Sequence, residues 1–385
     1  MKILHTADWH VGKNIKGRSR AAEHRDVLAE IETIAMDEEV DLAIVAGDLF
    51  DRTAPSPESE QIVYSALYAL SQRCKQVVVV AGNHDNPQRL AALKQLLNLT
   101  RVHVSAYLTR PDQGGILPFE TSAGERAQIA LLPFISQRDI VKASHLMDLH
   151  ADEQAGKYAD HLQRIISGLT QSFQGDAVNL IVSHLSVIGG RLGGGERTLH
   201  TLLDYCIPSQ AFPSNAHYVA LGHFHAPQDV PGPCPIRYCG SPLQLDFGDD
   251  NTERFVSLIQ AEAGLPAHVE HIPLTKGRRL RTLTGTLDAL EAERDSVGDD
   301  YLRLRLDEKP TPALADHAKE LFPHAVEISL LRRDDTAQPS DPERDVHDSP
   351  EALFGEYLEK TDQQNAAVRD LFKDLMEEVH APDLT

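Results

Sequence analysis

The chain has 385 residues, 41% hydrophobic and 25% charged, which suits a soluble globular protein of two domains or of one large domain with additions. Its net charge of −21 argues against a protein that holds nucleic acid by bulk electrostatics alone. No apolar run reaches the ~18 residues of a membrane span, MKILHTADWH enters a strand pattern without a leader, and Cys74, Cys206, Cys234 and Cys239 form no CxxC pair, so a cytoplasmic protein with free thiols is expected.

In chain order, KILHTAD reads as a strand, followed by a helical pattern from about Ala21 to Glu39. Between them KNIKGRSR supplies Lys13, Lys16, Arg18 and Arg20 with no acid among them: either a solvated loop or a phosphate-steering, DNA-contacting rim. LAIVAGD precedes a helix from Pro57 to Cys74, and VVVVAGN precedes PQRLAALKQLL. Strands alternating with helices imply an α/β domain with buried central strands. Later come QIALLP, NLIVSH, YVALGH, IRYCGS and FVSLIQ with fewer helices between them, which suggests a second sheet packed on the first, flanked by outer helices, in a domain spanning 1–273.

From about Lys276 to Arg333 the pattern restarts as strand, helix, strand, helix, strand, a small α+β module. Residues 334–348, DDTAQPSDPERDVHD, are polar and aperiodic and read as a linker. Ser349 and Pro350 then open a helical region over 349–380. Its first helix offers Leu353, Phe354, Tyr357 and Leu358. Its second places Val368, Leu371, Phe372, Leu375, Met376 and Val379 on one face. From Asp341 to Thr385, 13 acids face 4 bases, a local balance of −9.

Several apolar strand runs end alike. IVAGD ends on Asp48, VVVAGN on Asn83, LIVSH on His184 and VALGH on His223. The first strand leads to Asp8 and His10, and HFH places His225 beside His223. Sites in open α/β sheets gather at the carboxyl ends of strands, so these residues are expected at one edge. Asp-x-His and His-x-His put two side chains on the same side of an extended segment. The glycine or serine before each is expected to let the chain turn tightly and a substrate approach.

The motifs DWH (8–10), GDLFD (47–51), GNHD (82–85), SH (183–184) and GHFH (222–225) resemble those of the calcineurin-like metallophosphoesterases. HTADWHVGK, GDLFDR, LGHFHAPQ and YCGSPLQLDFG narrow the resemblance to the SbcD family, nuclease subunits of bacterial SbcCD double-strand-break complexes. The resemblance covers about the first 270 residues. It implies a sandwich of two mixed β-sheets flanked by helices, with a small capping domain that contacts DNA. It further implies two divalent ions, Mn²⁺ first and Mg²⁺ or another as the alternative. Asp8, His10 and His225 would hold one ion, Asn83, His184 and His223 the other, and Asp48 both. His84 would contact the scissile phosphate and protonate the leaving oxygen. Asp85 would orient His84 or its loop, or simply stabilise the turn. Asp51 receives no catalytic role, and the glycine-rich GGRLGGGER after His184 receives no assignment beyond a place at the site rim.

The resemblance also implies 3′–5′ exonuclease action on duplex DNA and endonuclease action on single strands and hairpins. It implies an SbcC ATPase partner held by the C-terminal helices through Leu353, Phe354, Tyr357, Leu358, Leu371, Phe372 and Leu375. A homodimer would form through the helix from Pro57 to Cys74 (Ile62, Val63, Ala66, Leu67, Leu70) and the one after GNHD (Leu90, Leu93, Leu96, Leu97). The competing readings are a general phosphodiesterase or protein phosphatase with the same ligands, and a non-catalytic scaffold.

Overall fold

The structure is a computed structural model and describes residues 1–147, 158–194, 196, 205–249 and 253–331, and of the C-terminal region residues 354, 358, 368, 371 and 372. Two six-stranded sheets stack face to face. The first runs, edge to edge, His268–Pro273, Phe255–Gln260, Lys2–Thr6, Leu42–Val45, Gln76–Val80 and Val102–Ser105. The second runs Gln228–Val230, Ile236–Tyr238, Tyr218–Gly222, Val178–His184, Arg126–Leu132 and Ile116–Glu120. Both are mixed: the first is parallel from Lys2–Thr6 to its Val102–Ser105 edge and antiparallel toward the other, and the second has a parallel centre with an antiparallel pair at each edge.

The valine run explains the layering. Val77 and Val79 face a cluster formed with the helices Ala21–Asp37, Pro57–Arg73 and Pro87–Asn98. Val78 and Val80 face the second sheet, against residues such as Ile129, Leu180, Val182 and Tyr218. Alternate side chains of a strand point to opposite faces, and both faces here are covered, so every position is apolar. A third cluster lies beyond the second sheet, where Leu162, Ile165, Ile166 and Leu169 of helix Tyr158–Thr170 pack. The result is the expected helix–sheet–sheet–helix sandwich.

Two helices start where the sequence signals them. Ser56 accepts a hydrogen bond from Ser59 N ahead of Pro57, and Asn86 accepts one from Arg89 N ahead of Pro87. The second cap closes the GNHD turn at once, which anchors its polar residues at the sheet edge.

Most of the residues expected in a dimer face also serve this domain's own core. Ile62, Val63, Leu67, Leu70, Leu90 and Leu97 are buried, whereas Leu96 is 61% exposed. A helical face packs first against the sheet beneath it, which consumes the apolar stripe.

The small module has the expected order, and its three strands, Leu280–Gly285, Tyr301–Leu306 and Ala325–Leu330, are all parallel. It is tied to the large domain by Lys16 Nζ to Glu327 (2.9 Å), by Arg278 N donating to Glu23 (2.8 Å) and by Leu280 N donating to Gln244 Oε1 (2.8 Å). The linker 334–348, and Leu353, Tyr357 and Leu375 among the expected partner-binding residues, lie outside the described residues. Phe354, Leu358, Leu371 and Phe372 are helical, and the Phe354 and Phe372 rings stack at 4.0 Å between centroids.

Candidate metal centre

Strand register assembles the site. In the first sheet Thr6 lies beside Val45 and Val45 beside Val79, so the turns bearing Asp8, Asp48 and Asn83 emerge side by side. In the second sheet Gly222 lies beside His184, which brings His184 next to His223. The carboxyl edges of both sheets open onto the same place, so that His10 and His225, 215 positions apart in the chain, converge there. All seven expected ligands are buried at this edge, as is His84.

The turns are strained where the ligands sit. Asp8 (φ 53°), His10 (φ 46°), Asp48 (φ 51°) and His223 (φ 110°) all occupy positive φ, which a non-glycine residue adopts only under constraint. The glycines let the turns pack tightly. A Cβ at Gly82 would collide with the carboxylate and backbone nitrogen of Asp48, and one at Gly222 with Ala46 O. They make room for neighbouring turns to close on each other.

The donors fall into two groups. On one side His10 Nε2 faces His225 Nε2 at 3.1 Å, and both histidines lie within ligand distance of Asp8. On the other, His184 Nε2 and His223 Nδ1 each lie 2.9 Å from Asn83 Oδ1. Asp48 stands between them: its Oδ2 is 3.5 Å from His10 Nε2 and 3.4 Å from His184 Nε2. The Asp8 carboxylate accepts from His223 N at 3.0 and 3.1 Å, linking the two groups.

The electrostatics are those of a cation site. Burial, with Asp48 nearby, holds the Asp8 carboxyl well above its usual range. Burial drives the His10 imidazole well below its own. Burial would also lower His184, but Asp48 and Asp8 outweigh it and raise it to about 9. Asp48 itself falls well below its usual range, because the surrounding histidines outweigh the cost of burial. His10 Nδ1 is buried with no hydrogen-bond partner among the described residues. Buried carboxylates and facing imidazole nitrogens repay their desolvation when divalent cations lie among them, and the mixed carboxylate, amide and imidazole set suits ions such as Mn²⁺.

His84 is placed differently. Its backbone N–H donates to Asp48 Oδ1 at 2.7 Å, and its Nδ1 meets Asp51 O at 2.8 Å. Its ring stands edge-on to His10, with centroids 4.7 Å apart. It also lies within ligand distance of His10 and Asp48, so geometry alone permits a metal role as well as a substrate role. Asp85 accepts from Gly82 N (2.9 Å) and Phe50 N (3.2 Å), pinning two turns together. Burial, with Asp48 nearby, raises it to about 7.

The basic run divides. Lys13 pairs with Asp51 at 3.3 Å beside the site, Lys16 binds the small module, and Arg18 is exposed. Arg20, expected on the rim, is instead buried. It pairs with Glu23 and donates to the backbone carbonyls of Gln244 and Arg278, so it joins the two domains and is closed to DNA.

Sequence reading missed Glu196. Its carboxylate accepts from His225 N at 3.0 Å and from Gly193 N at 2.6 Å, and Gly194 O lies 2.8 Å from His225 Nδ1. The only signal was the unassigned glycine-rich stretch itself.

A two-sheet sandwich that gathers these donors at one edge has the site of a dinuclear-metal phosphoesterase. Residues 1–227 match the calcineurin-like phosphoesterases, and residues 276–362 match a family described as the type 5 capsule protein repressor C-terminal domain. The chain is 37% identical over 284 residues to the D subunit of the nuclease SbcCD from Bacillus subtilis (strain 168), covering 73% of this chain and 71% of the relative. It is 34% identical to the protein of the same name from Rhodobacter capsulatus, covering 92% and 93%. The Escherichia coli (strain K12) counterpart is 30% identical, covering 78% and 74%. The chain belongs to the calcineurin-like phosphoesterases and, within them, to the family of SbcCD nuclease D subunits.

Proposed function

We propose that this chain is a Mn²⁺-dependent DNA nuclease that works in the cytoplasm with an SbcC ATPase in double-strand-break processing. In this reading it acts as a 3′–5′ exonuclease on duplex ends and as an endonuclease on single strands and hairpins. The observation that carries the reading is the convergence of the seven expected ligand residues and His84 where the carboxyl edges of the two sheets meet, in a chain whose relatives are named as nuclease subunits.

Asp8, His10 and His225 would hold one ion, Asn83, His184 and His223 the other, and Asp48 both. When bound, such ions supply an acidified water as nucleophile and neutralise charge on the phosphoryl oxygens. The chain's own groups do the rest. Asp48 accepts from the His84 backbone N–H and the Asp51 carbonyl accepts from its Nδ1–H, so that Nε2, in the imidazolium form, would hold the proton for the leaving oxygen. Asp85 holds the GNHD turn against the Phe50 turn, so that His84 and Asn83 keep their spacing.

DNA contact by the small module is supported by a cleft of ≈ 550 Å³ between the two domains, lined by Lys276, Arg278 and Arg279 with Glu253 as an opposing acid, while Arg254 on its wall is buried and paired with Asp249. Such a concentration of cations offsets an acidic chain where a phosphate backbone would lie. A homodimer is supported by Tyr68, Leu96 and Leu99, which remain exposed on or beside the second and third helices. Among the described residues no helix is long and apolar enough to cross a membrane.

The test is digestion of linear, hairpin and blunt duplex DNA, with and without the ATPase, beside hydrolysis of a small aryl phosphodiester, each with Mn²⁺ and with chelator. Chelator-sensitive DNA cleavage is expected. Hydrolysis of the aryl ester with no DNA cleavage in either setting would leave only a general phosphodiesterase.

A further inference from the structure

We propose that residues 189–194 and Glu196 form a positioning arm for His225, and that this arm tightens the ion site served by His225. The proposal rests on the two-ion reading of the site and not on DNA as the substrate.

His225 is held at three separate atoms. Its N–H donates to Glu196 Oε1 and its Nδ1–H to Gly194 O, while its carbonyl accepts from Arg254 (2.9 Å) and from Ser241 N (3.1 Å). With Nδ1 committed as a donor, the ring is the tautomer that turns the Nε2 lone pair toward His10. A ligand histidine whose second nitrogen is fixed in this way loses little freedom on binding an ion and is more basic toward it.

The arm is itself braced. Arg191 N donates to Gln228 Oε1 (2.6 Å), and Gln228 Nε2 donates back to Arg191 O (2.7 Å). Gly193 lies so close to the chain at His225 and Ala226 that a Cβ there would collide with both, and one at Gly190 would strike the Phe224 ring. These glycines let the arm lie flat on the GHFHAPQ segment. The Glu196 side chain is 2% exposed, so its charge is buried beside His225. His10 Nδ1, by contrast, has no hydrogen-bond partner among the described residues and lies 3.9 Å from the Asp51 carboxylate, so the arm makes His225 the more tightly braced member of its pair.

The test is calorimetric titration of the metal-free full chain with Mn²⁺. In Glu196→Ala one of two binding events should weaken by about 10–100-fold while the other stays unchanged, the usual effect of removing a group that orients a ligand. Glu196→Gln should stay near the parent, because an amide oxygen accepts the same two N–H bonds. Gln228→Ala releases the arm at a distance and should weaken the same event. Unchanged constants in Glu196→Ala and Gln228→Ala would overturn the proposal. Equal weakening of both events, with a lower melting temperature of the metal-free protein, would reduce the arm to a fold-stabilising loop. Loss in Glu196→Gln as large as in Glu196→Ala would replace positioning by simple charge. Because no DNA is present, failure here is distinguishable from failure of the nuclease reading.

Discussion

Gly82→Ala adds one methyl group at the tightest point between two turns. The new Cβ would stand 2.8 Å from Asp48 Cγ and closer still to Asp48 Oδ1 and N, where ordinary contact begins at 3.4 Å. Either the Asp48 carboxylate or the GNHD turn must therefore retreat by about 1 Å. Neither can do so freely: Asp48 Oδ1 also holds His84 N at 2.7 Å, and Gly82 N is held by Asp85 at 2.9 Å. Overpacking of this kind costs about 1–3 kcal/mol of stability. A displacement approaching 1 Å at catalytic groups costs roughly 10²-fold in rate. Since Asp48 stands between both donor groups, both Mn²⁺ binding events should weaken. The assay pairs Mn²⁺ titration and DNA cleavage with denaturant unfolding in chelator. Gly175→Ala is the control, since a Cβ there meets nothing within 4 Å, and it should be neutral or slightly stabilising. A Gly82→Ala protein with parental ion affinities, activity and stability would refute the claim that close packing of the turns shapes the site.

His84→Ala should keep both ions while DNA cleavage falls by roughly 10²-fold or more; metal analysis showing ion loss would make His84 a ligand. Asp48→Ala should weaken both ion sites in calorimetry, whereas His225→Ala should first weaken one; a tight site and full activity surviving in Asp48→Ala would contradict the bridging position. His184, raised from 6.5 to about 9, stabilises the ion-free protein below pH 6.5, and that contribution disappears as the pH rises toward 9. Because an ion must displace this proton, Mn²⁺ affinity should rise over the same window, measurable by titration at several pH values. A chain ending at Asp341 should retain Mn²⁺-dependent cleavage of short DNA and no longer co-purify with the ATPase; unchanged ATPase affinity would place the tether elsewhere.

Much of the site was legible because its chemistry is written at strand ends. Apolar runs announce buried strands, and the polar residues that follow them have to emerge at an edge. Asp8, Asp48, Asn83, His184 and His223 could be read as neighbours from that rule alone, and the structure brings them together. The layering was equally legible in VVVV, which only a strand covered on both faces tolerates. What the sequence by itself could not decide is which polar or charged group faces which. Arg20 belongs by composition to a surface run, yet it is buried because Glu23 and two carbonyls from other segments satisfy it. Asp85 lies beside His84 in the chain, yet its oxygens go to the backbone of two turns. Glu196 sits in a stretch with no periodicity, and its partner His225 is 29 residues away. Such pairings depend on the register of two stacked sheets, and a hydrogen bond reaches only about 3 Å. Local pattern therefore determined which residues arrive at the edge, and only tertiary packing decided what each of them touches there.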